Sequence, residues 1–146
     1  RSGSVKPFAM DWGFSLSDGK KVINARIETA DQKPMFRDGM QNRRCLLPMS
    51  AYFEWEKAGN SKKKHRIQPE SNGLFCLAGI YRFENDSPKC TVLTMEAADE
   101  ISFIHPRMPV IVPWADRESF LLGENDVWQM KMKFEPEYPD LPLLDF

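Results

Sequence analysis

The chain has 146 residues, 42% of them hydrophobic, and a formal net charge of −1. These values fit a single globular domain over residues 1–146 that buries its own core, and they exclude a disordered chain or a fibre. No apolar run reaches the roughly 18–20 residues of a membrane span, and the start resembles no secretory or transit peptide, so we expect a soluble, cytoplasmic, monomeric protein.

Short apolar segments separated by Gly, Asn, Ser or Pro predict a chain made mainly of strands. In chain order, the pattern predicts a strand over Val22–Thr29, a helix over Pro34–Asn42, strands over Cys45–Glu56, Arg66–Gln68, Leu74–Phe83 and Cys90–Met95, a helix over Ala97–Phe103, a strand over Met108–Val112 and a helix over Asp116–Leu122. Pro34 fits the first turn of its helix, and Asp116 can cap the last helix. The spacing favours an α+β fold that is mainly β, with a curled mixed or antiparallel sheet or a β-barrel-like core and short peripheral helices.

The charges divide the chain into a basic and an acidic part. Lys20–Arg66 contains twelve Lys/Arg against five Asp/Glu, a local net charge of +7, whereas Asp116–Phe146 contains three against eight, a local net charge of −5. The first half also contains the aromatic residues Trp12, Phe36, Tyr52, Phe53 and Trp55. Cations and aromatic rings together suit the phosphates and bases of a nucleic-acid strand. The alternative is a solvated basic loop beside core aromatics, and Lys62-Lys63-Lys64 in particular fits an exposed hairpin loop.

Four polar residues are candidates for a reaction centre. His105 precedes a proline, which restrains it to extended geometry in a stiff turn. Glu54 is flanked by aromatic side chains that can desolvate its carboxyl group. Asn24 and Arg26 lie two apart on a predicted strand, so they share a face. Structural alternatives are a hydrogen-bonded structural histidine at position 105 and an outward-facing strand carboxylate at position 54.

Nucleotide, metal and disulfide motifs are missing from the sequence. It has no phosphate-binding glycine loop, no nucleophile elbow and no Cys-x-x-Cys pair. Cys45, Cys76 and Cys90 are odd in number and lie in apolar segments, which is typical of buried thiols in a reducing compartment. Together with His65 and His105 they do not show ligand spacing, so we expect no metal and no cofactor.

Five short motifs follow one another along the chain: Asn24-Ala25-Arg26-Ile27-Glu28-Thr29, Lys33-Pro34-Met35-Phe36-Arg37, Arg43-Arg44-Cys45-Leu46-Leu47-Pro48, Tyr52-Phe53-Glu54-Trp55 and Ile104-His105-Pro106-Arg107-Met108-Pro109. This combination resembles the SRAP family, the SOS response-associated peptidase-like proteins, from about Trp12 to Val112. The resemblance implies a β-barrel-like fold with a basic groove for single-stranded DNA. It also implies covalent capture of abasic sites in the DNA damage or SOS response, and thiol autopeptidase activity.

The resemblance further implies roles for individual residues. The family's nucleophile is an N-terminal cysteine, whose amine and thiol close a thiazolidine ring on the opened sugar aldehyde. Asn24 would orient that N-terminal group, Glu54 would assist ring opening or proton transfer, and His105 would act as acid and base on the sugar. The implied DNA-binding residues are Trp12, Arg26, Arg37, Trp55 and Arg107, in which the arginines hold phosphates and the tryptophans pack against bases.

The chain departs from the family pattern at its start, because no Met-Cys-Gly-Arg segment precedes Trp12. Cys45 matches an interior Arg-Cys-Leu position of the family, and the other two cysteines lie in apolar segments, so none of the three replaces the nucleophile. We expect that the leading segment is absent from this sequence and that Asn24, Glu54 and His105 serve an upstream cysteine. The alternative hypothesis is a non-catalytic binding module for single-stranded DNA.

Overall fold

The computed structural model describes residues 5–59, 61–124 and 131–136, and about half of them lie in strands. In chain order the elements are β1 (Asp11–Trp12), β2 (Phe14–Ser15), β3 (Lys21–Val22), β4 (Asn24–Arg26), α1 (Ile27–Ala30), α2 (Pro34–Asn42), β5 (Arg44–Met49), β6 (Tyr52–Ala58), β7 (Ser61–Pro69), β8 (Phe75–Glu84), β9 (Ser87–Glu96), β10 (Arg107–Pro109), β11 (Ile111–Pro113), a 3₁₀ turn (Trp114–Asp116), α3 (Arg117–Leu122) and β12 (Met132–Pro136). The predicted class, α+β and mainly β with short helices around a curled mixed sheet, is confirmed.

Strand β9 organises the seven-stranded main sheet. β8 pairs with it antiparallel, from Glu84 opposite Ser87 to Gly79 opposite Val92. β1 and β4 run parallel to β9, and β10 runs antiparallel to it. β5 and β11 pair antiparallel with β8. The sheet is therefore mixed, and β9 positions segments from distant parts of the chain.

The segment 107–113 lies between β8 and β9. The predicted strand Met108–Val112 is therefore two short strands, β10 and β11. The Val110 N–H donates to the Leu93 carbonyl at 2.8 Å, and the Ala78 N–H donates to the Val110 carbonyl at 2.9 Å. Before Val110 the chain pairs with β9, and after it the chain pairs with β8. This change of partner contributes to the curl of the sheet.

Both faces of the main sheet are buried. Along β8, Phe75 and Leu77 belong to one hydrophobic cluster, whereas Cys76 and Ala78 belong to another. Side chains alternate between the faces of a strand, so a sheet covered on both sides needs a nearly continuous apolar sequence. The cluster of Cys76 and Ala78, called the first cluster below, includes residues of all three helices. The cluster of Phe75 and Leu77, called the second cluster, also involves residues of β6, β7 and β12.

A second sheet has three antiparallel strands in the order β12-β7-β6, and β2 and β3 form a separate two-stranded antiparallel sheet. Tyr52 on β6 lies opposite Ile67 on β7, and both pack into the second cluster. The run Lys62-Lys63-Lys64 lies inside β7 and not in a hairpin loop as predicted, because each lysine pairs with a residue of β6. The predicted strand Cys45–Glu56 is likewise two strands, interrupted at Ser50 and Ala51.

Two predicted elements are wrong in part or entirely. The strand Val22–Thr29 ends at Arg26, after which α1 turns so that Ile27 and Ala30 reach the first cluster. The segment Ala97–Phe103 is not a helix but a series of turns, in which the Ile101 N–H bonds the carbonyl three residues earlier.

The other two helices are close to the prediction. α2 spans Pro34–Asn42 as expected, with Pro34 in its first turn, where the missing N–H costs no helical hydrogen bond. α3 begins at Arg117 after a 3₁₀ turn, and Asp116 takes the N-cap position without a capping side-chain hydrogen bond. The expected cap therefore lies at the right position but does not form.

Gly79 has no room for a side chain in the middle of β8. An added Cβ would lie 2.9 Å from a Leu47 methyl carbon, 3.0 Å from the Cys45 sulfur and 3.1 Å from the Thr91 carbonyl oxygen. We expect Gly79→Ala to lower the free energy of unfolding by about 1–3 kcal/mol through overpacking. Chemical denaturation measures this change. The control is Gly73→Ala, whose Cβ would meet only Ser71 Oγ at 3.5 Å. Equal stability of the two variants would contradict the prediction.

Candidate functional site

Asn24 and Arg26 project from one face of β4 at the edge of the main sheet. Both side chains are exposed, and Ala25 between them is 3% exposed. The predicted shared face is therefore confirmed. Thr94 on β9 lies opposite Arg26, and its hydroxyl donates to the Ala25 carbonyl at 3.5 Å. An amide and a guanidinium thus stand side by side at a fixed position on a rigid strand.

Arg107 is the first residue of β10, which pairs with β9 as β4 does. Its two terminal nitrogens donate to the two carboxylate oxygens of Glu28 at 2.7 and 2.9 Å, and one of them also donates to the Thr94 carbonyl at 2.7 Å. The hydrogen bonds from Arg107 hold the pKa of Glu28 at about 2, below its ordinary value of 4.5. A phosphate bound by Arg107 would have to share or displace these partners.

His105 is exposed, and its ring is held by the backbone of Arg107. Nδ1 lies 3.1 Å from the Arg107 amide nitrogen and 2.9 Å from its carbonyl oxygen. The amide N–H donates to an unprotonated Nδ1, and a protonated Nδ1–H donates to the carbonyl. Nδ1 therefore has a backbone partner in either tautomer, and Nε2 has no hydrogen-bond partner within residues 5–59, 61–124 and 131–136.

Glu54 lies on β6, in the second sheet. Its carboxylate is half-buried and accepts a hydrogen bond from the Trp55 N–H at 3.3 Å. Tyr52, two residues earlier on the same face, packs against the same cluster as Met95 and Met108, which are residues of β9 and β10. Burial, followed by the charge of Glu54, raises the pKa of Tyr52. In the described part of the chain, no hydrogen bond or ion pair joins Glu54 to Asn24 or His105.

The remaining predicted DNA-binding residues lie in different environments. Trp12 is 54% exposed, and its Nε1–H donates to the Ile23 carbonyl at 2.8 Å, just before β4. Arg37 on α2 donates to the carbonyls of Asp31 and Gln32 at 3.1 and 3.2 Å, so its guanidinium closes the loop after α1. Both side chains already make local contacts that a ligand would have to tolerate.

Trp55 belongs to an exposed face of the β6–β7 hairpin that is both aromatic and basic. The pairing register places six side chains on this face: Phe53 opposite Arg66, Trp55 opposite Lys64, and Lys57 opposite Lys62. The Lys64 ammonium lies 4.2 Å from the centre of the Phe53 ring, a cation–π distance. We call these six residues the hairpin face. In the sequence this face corresponds to a period-two spacing in both strands, Phe53, Trp55 and Lys57 in β6 and Lys62, Lys64 and Arg66 in β7.

His65 is the second histidine and serves the structure. It is 2% exposed, its Nε2 lies 2.7 Å from a Glu56 oxygen, and its ring contacts Phe103 and Phe134 edge-on. Among the residues that the structure describes, no three His, Cys, Asp or Glu side chains converge as metal ligands. In the same ranges, no helix is long and apolar enough to cross a membrane.

The three thiols lack the environment of a nucleophile. Cys76 and Cys90 are buried and Cys45 is half-buried, and none forms a disulfide. Burial raises the pKa of all three thiols, that of Cys45 to about 12. Since the thiolate is the reactive form, these cysteines are inert near neutral pH.

Sequence reasoning missed the roles of Glu28 and Thr94. Glu28 occurs in the first motif but received no role there, and Thr94 lies in a predicted strand with no distinguishing neighbour. Their partner Arg107 is 79 positions from Glu28 and 13 from Thr94. No local sequence pattern predicts contacts between residues so far apart in the chain.

The structure is a mainly β domain in which Asn24, Arg26 and Arg107 lie on strands that pair with β9, whereas Glu54 lies on β6 of a different sheet. A model of the SOS response associated peptidase (SRAP) family matches residues 3–139, and the chain belongs to this family. This confirms the family resemblance of the five motifs.

Several relatives named as abasic site processing proteins match most of this chain. It is 34% identical over 131 residues to the abasic site processing protein YobE of Bacillus subtilis, covering 86% of this chain and 58% of YobE. It is 33% identical over 114 residues to the abasic site processing protein YedK of Escherichia coli, covering 73% of this chain and 51% of YedK. The chain thus spans somewhat more than half the length of these relatives.

Solved structures share the fold. A crystal structure of a protein from Bacteroides thetaiotaomicron aligns with a TM-score of 0.71 and 26% identity over 80% of this chain and 59% of that one. A protein from Bordetella bronchiseptica aligns with a TM-score of 0.77 and 20% identity over 89% of this chain and 76% of that one, which supports the fold alone.

The Glu28–Arg107 pair predicts an acid-dependent contribution to stability. Because the pKa of Glu28 is lowered from 4.5 to about 2 in the folded protein, this contribution is present above pH 4.5 and is lost as the pH falls toward 2. The carboxylate is 46% exposed, so we expect Glu28→Gln to cost about 1 kcal/mol at pH 7. Urea denaturation should show the difference from the wild type shrinking below pH 4.5; a constant difference down to pH 2 would contradict this.

Proposed function

We propose that the protein binds single-stranded DNA and captures abasic sites covalently in the DNA damage response. The observation that carries this proposal is that β4, with Asn24 and Arg26, and β10, which begins at Arg107 two residues after His105, both pair with the same short stretch of β9. An amide, a cation and an imidazole with a free Nε2 are thereby presented together on a rigid support. The names of YobE and YedK as abasic site processing proteins support the choice of substrate.

The chemistry proceeds at the opened form of the abasic sugar. His105 Nε2 and the Glu54 carboxylate exchange protons with the C1′ hydroxyl and the ring oxygen, which opens the ring to an aldehyde. The α-amine of an N-terminal cysteine in the whole protein attacks C1′, and water leaves as the imine forms. The thiol then adds to the imine carbon and its proton passes to nitrogen, which closes a thiazolidine without any change of oxidation state. Asn24 orients the N-terminal group.

The hairpin face provides the surface for the flanking strand. Lys57 and Lys62 lie directly opposite each other, and like charges in this position are unfavourable unless an anion lies between or above them. Phe53 and Trp55, 39% and 47% exposed, offer ring faces on which bases can stack. Arg26 supplies a cation beside the reaction centre, and Trp12, Arg37 and Arg107 are further candidate contacts.

The finer roles follow the family resemblance. A thiol autopeptidase activity that exposes the N-terminal cysteine would use the same nucleophile, and the protein would act in the cytoplasm, on the nucleoid when bound to DNA. No metal or cofactor takes part in these steps. A binding module without covalent chemistry is the second candidate, and it is favoured by the hairpin face alone, which lies on a different sheet from Asn24.

The covalent step is tested with protein expressed from its native start codon and single-stranded DNA carrying one abasic site. We expect a protein–DNA band that survives a denaturing gel. Asn24→Ala, Glu54→Gln and His105→Ala should each slow its formation about 10²-fold or more, because each removes a group that orients or exchanges protons. Cys45→Ser, a change at a thiol outside the site, should form the band at the wild-type rate. Absence of the band in the wild type, with binding retained, would leave the binding module.

The binding surface is tested by salt dependence on undamaged single-stranded DNA. Replacing Lys57 and Lys62 by Ala should weaken binding and reduce the slope of log K against log salt by about one to two, since up to two phosphate contacts are lost. Lys20→Ala is the matched control, because Lys20 is paired with Asp18 at 2.9 Å on another surface. Fluorescence anisotropy between 50 and 200 mM salt, roughly the range over which such binding changes strongly, gives both values. An unchanged slope would remove the hairpin face from the interface.

A further inference from the structure

Glu28 connects the two halves of the reaction centre. It belongs to α1, directly after the strand that carries Asn24 and Arg26. Its carboxylate accepts both hydrogen bonds from the guanidinium of Arg107, two residues after His105. The pair therefore ties the strand that presents the amide to the turn that presents the imidazole.

Thr94 on β9 contacts both sides of this connection, Arg107 and the backbone of β4. Its carbonyl accepts a hydrogen bond from Arg107 at 2.7 Å, and its hydroxyl donates to the Ala25 carbonyl at 3.5 Å. Arg107 in turn offers its backbone N–H and carbonyl to Nδ1 of His105. The Glu28 carboxylate and the histidine ring are thus both hydrogen-bonded to Arg107, one to its guanidinium and the other to its backbone.

We propose that Glu28 is a positioning residue, which through Arg107 fixes the imidazole of His105 relative to Asn24 and Arg26. Arg107 then acts mainly as the connecting group between Glu28 and His105. This inference rests on the proposed function, because it assigns His105 to proton transfer. Misplacement of a reacting group by about 1 Å from a remote substitution can cost about 10²-fold in rate.

Electrostatics separates this role from phosphate binding. Glu28 neutralises Arg107, whose side chain is 23% exposed, whereas Arg26 is exposed and has no ion pair among the described residues. If Arg107 served chiefly as a phosphate contact, Glu28 would compete with DNA for it. Removal of the Glu28 charge would then strengthen binding.

The experiment compares Glu28→Gln with the wild type in the whole protein from its native start codon. We measure the dissociation constant for undamaged single-stranded DNA and the single-turnover rate of adduct formation with abasic DNA. We expect the rate to fall about tenfold to a hundredfold while the affinity stays within about twofold. Glu118→Gln, which breaks the exposed pair with Arg117, is the matched control and should change neither value.

Two results would overturn the inference. An unchanged rate with tighter binding would make Glu28 only a competitor for Arg107. If the rate, the affinity and the melting temperature all fell to a similar degree, Glu28 would be a residue of general stability.

A second measurement does not depend on adduct formation. The chain has two histidines, so the ring ¹⁵N resonances of His105 and the buried His65 can be followed together at constant pH. We expect Glu28→Gln to shift or broaden the resonances of His105 and to leave those of His65 unchanged. Even if the wild type forms no adduct and the proposed function fails, this result supports the link from Glu28 to the ring. Unchanged resonances of His105, or equal changes at both histidines, would refute it.

Discussion

Strand β9 is the constraint on which the rest of the molecule depends. Its side chains alternate between two buried clusters, as Val92 and Leu93 do, so the strand cannot slide by one residue without exposing one set of apolar groups and burying polar ones. Its backbone pairs with β4 and β10 as well as β8. A fixed register of β9 therefore fixes the positions of residues that are about 80 apart in the chain.

The polar groups on this frame divide into those engaged with the protein and those open to a ligand. Glu28 and Thr94 both accept hydrogen bonds from Arg107, whereas Asn24 and Arg26 face solvent from the same edge. This division is what a preorganised site needs, because groups that orient must be held and groups that bind must be available. The positive charge of Arg107 is compensated by the Glu28 carboxylate, whereas Arg26 has no ion pair among the described residues.

The sequence predicted those features that depend on local pattern. Alternation gave the shared face of Asn24 and Arg26, and the position of Pro34 gave the start of α2. The pattern failed in two segments whose apolar residues lie three apart. Ile27 and Ala30 belong to α1, where the pattern predicted a continuing strand. Ile101 and Ile104 are buried in a series of turns, where the pattern predicted a helix. The contact of Glu28 with Arg107 depends on how β9 joins distant strands, and no short window of sequence contains that information.

The opposed lysines of the hairpin face have a consequence for the folding of that hairpin. Lys57 and Lys62 repel each other across the strand pair in the free protein, and dissolved ions screen this repulsion. Salt therefore favours the folded hairpin while it weakens the attraction of the same lysines for a polyanion. A bound polyanion relieves the repulsion more effectively than salt, so by linkage occupancy of this face and order of the β6–β7 hairpin must rise together.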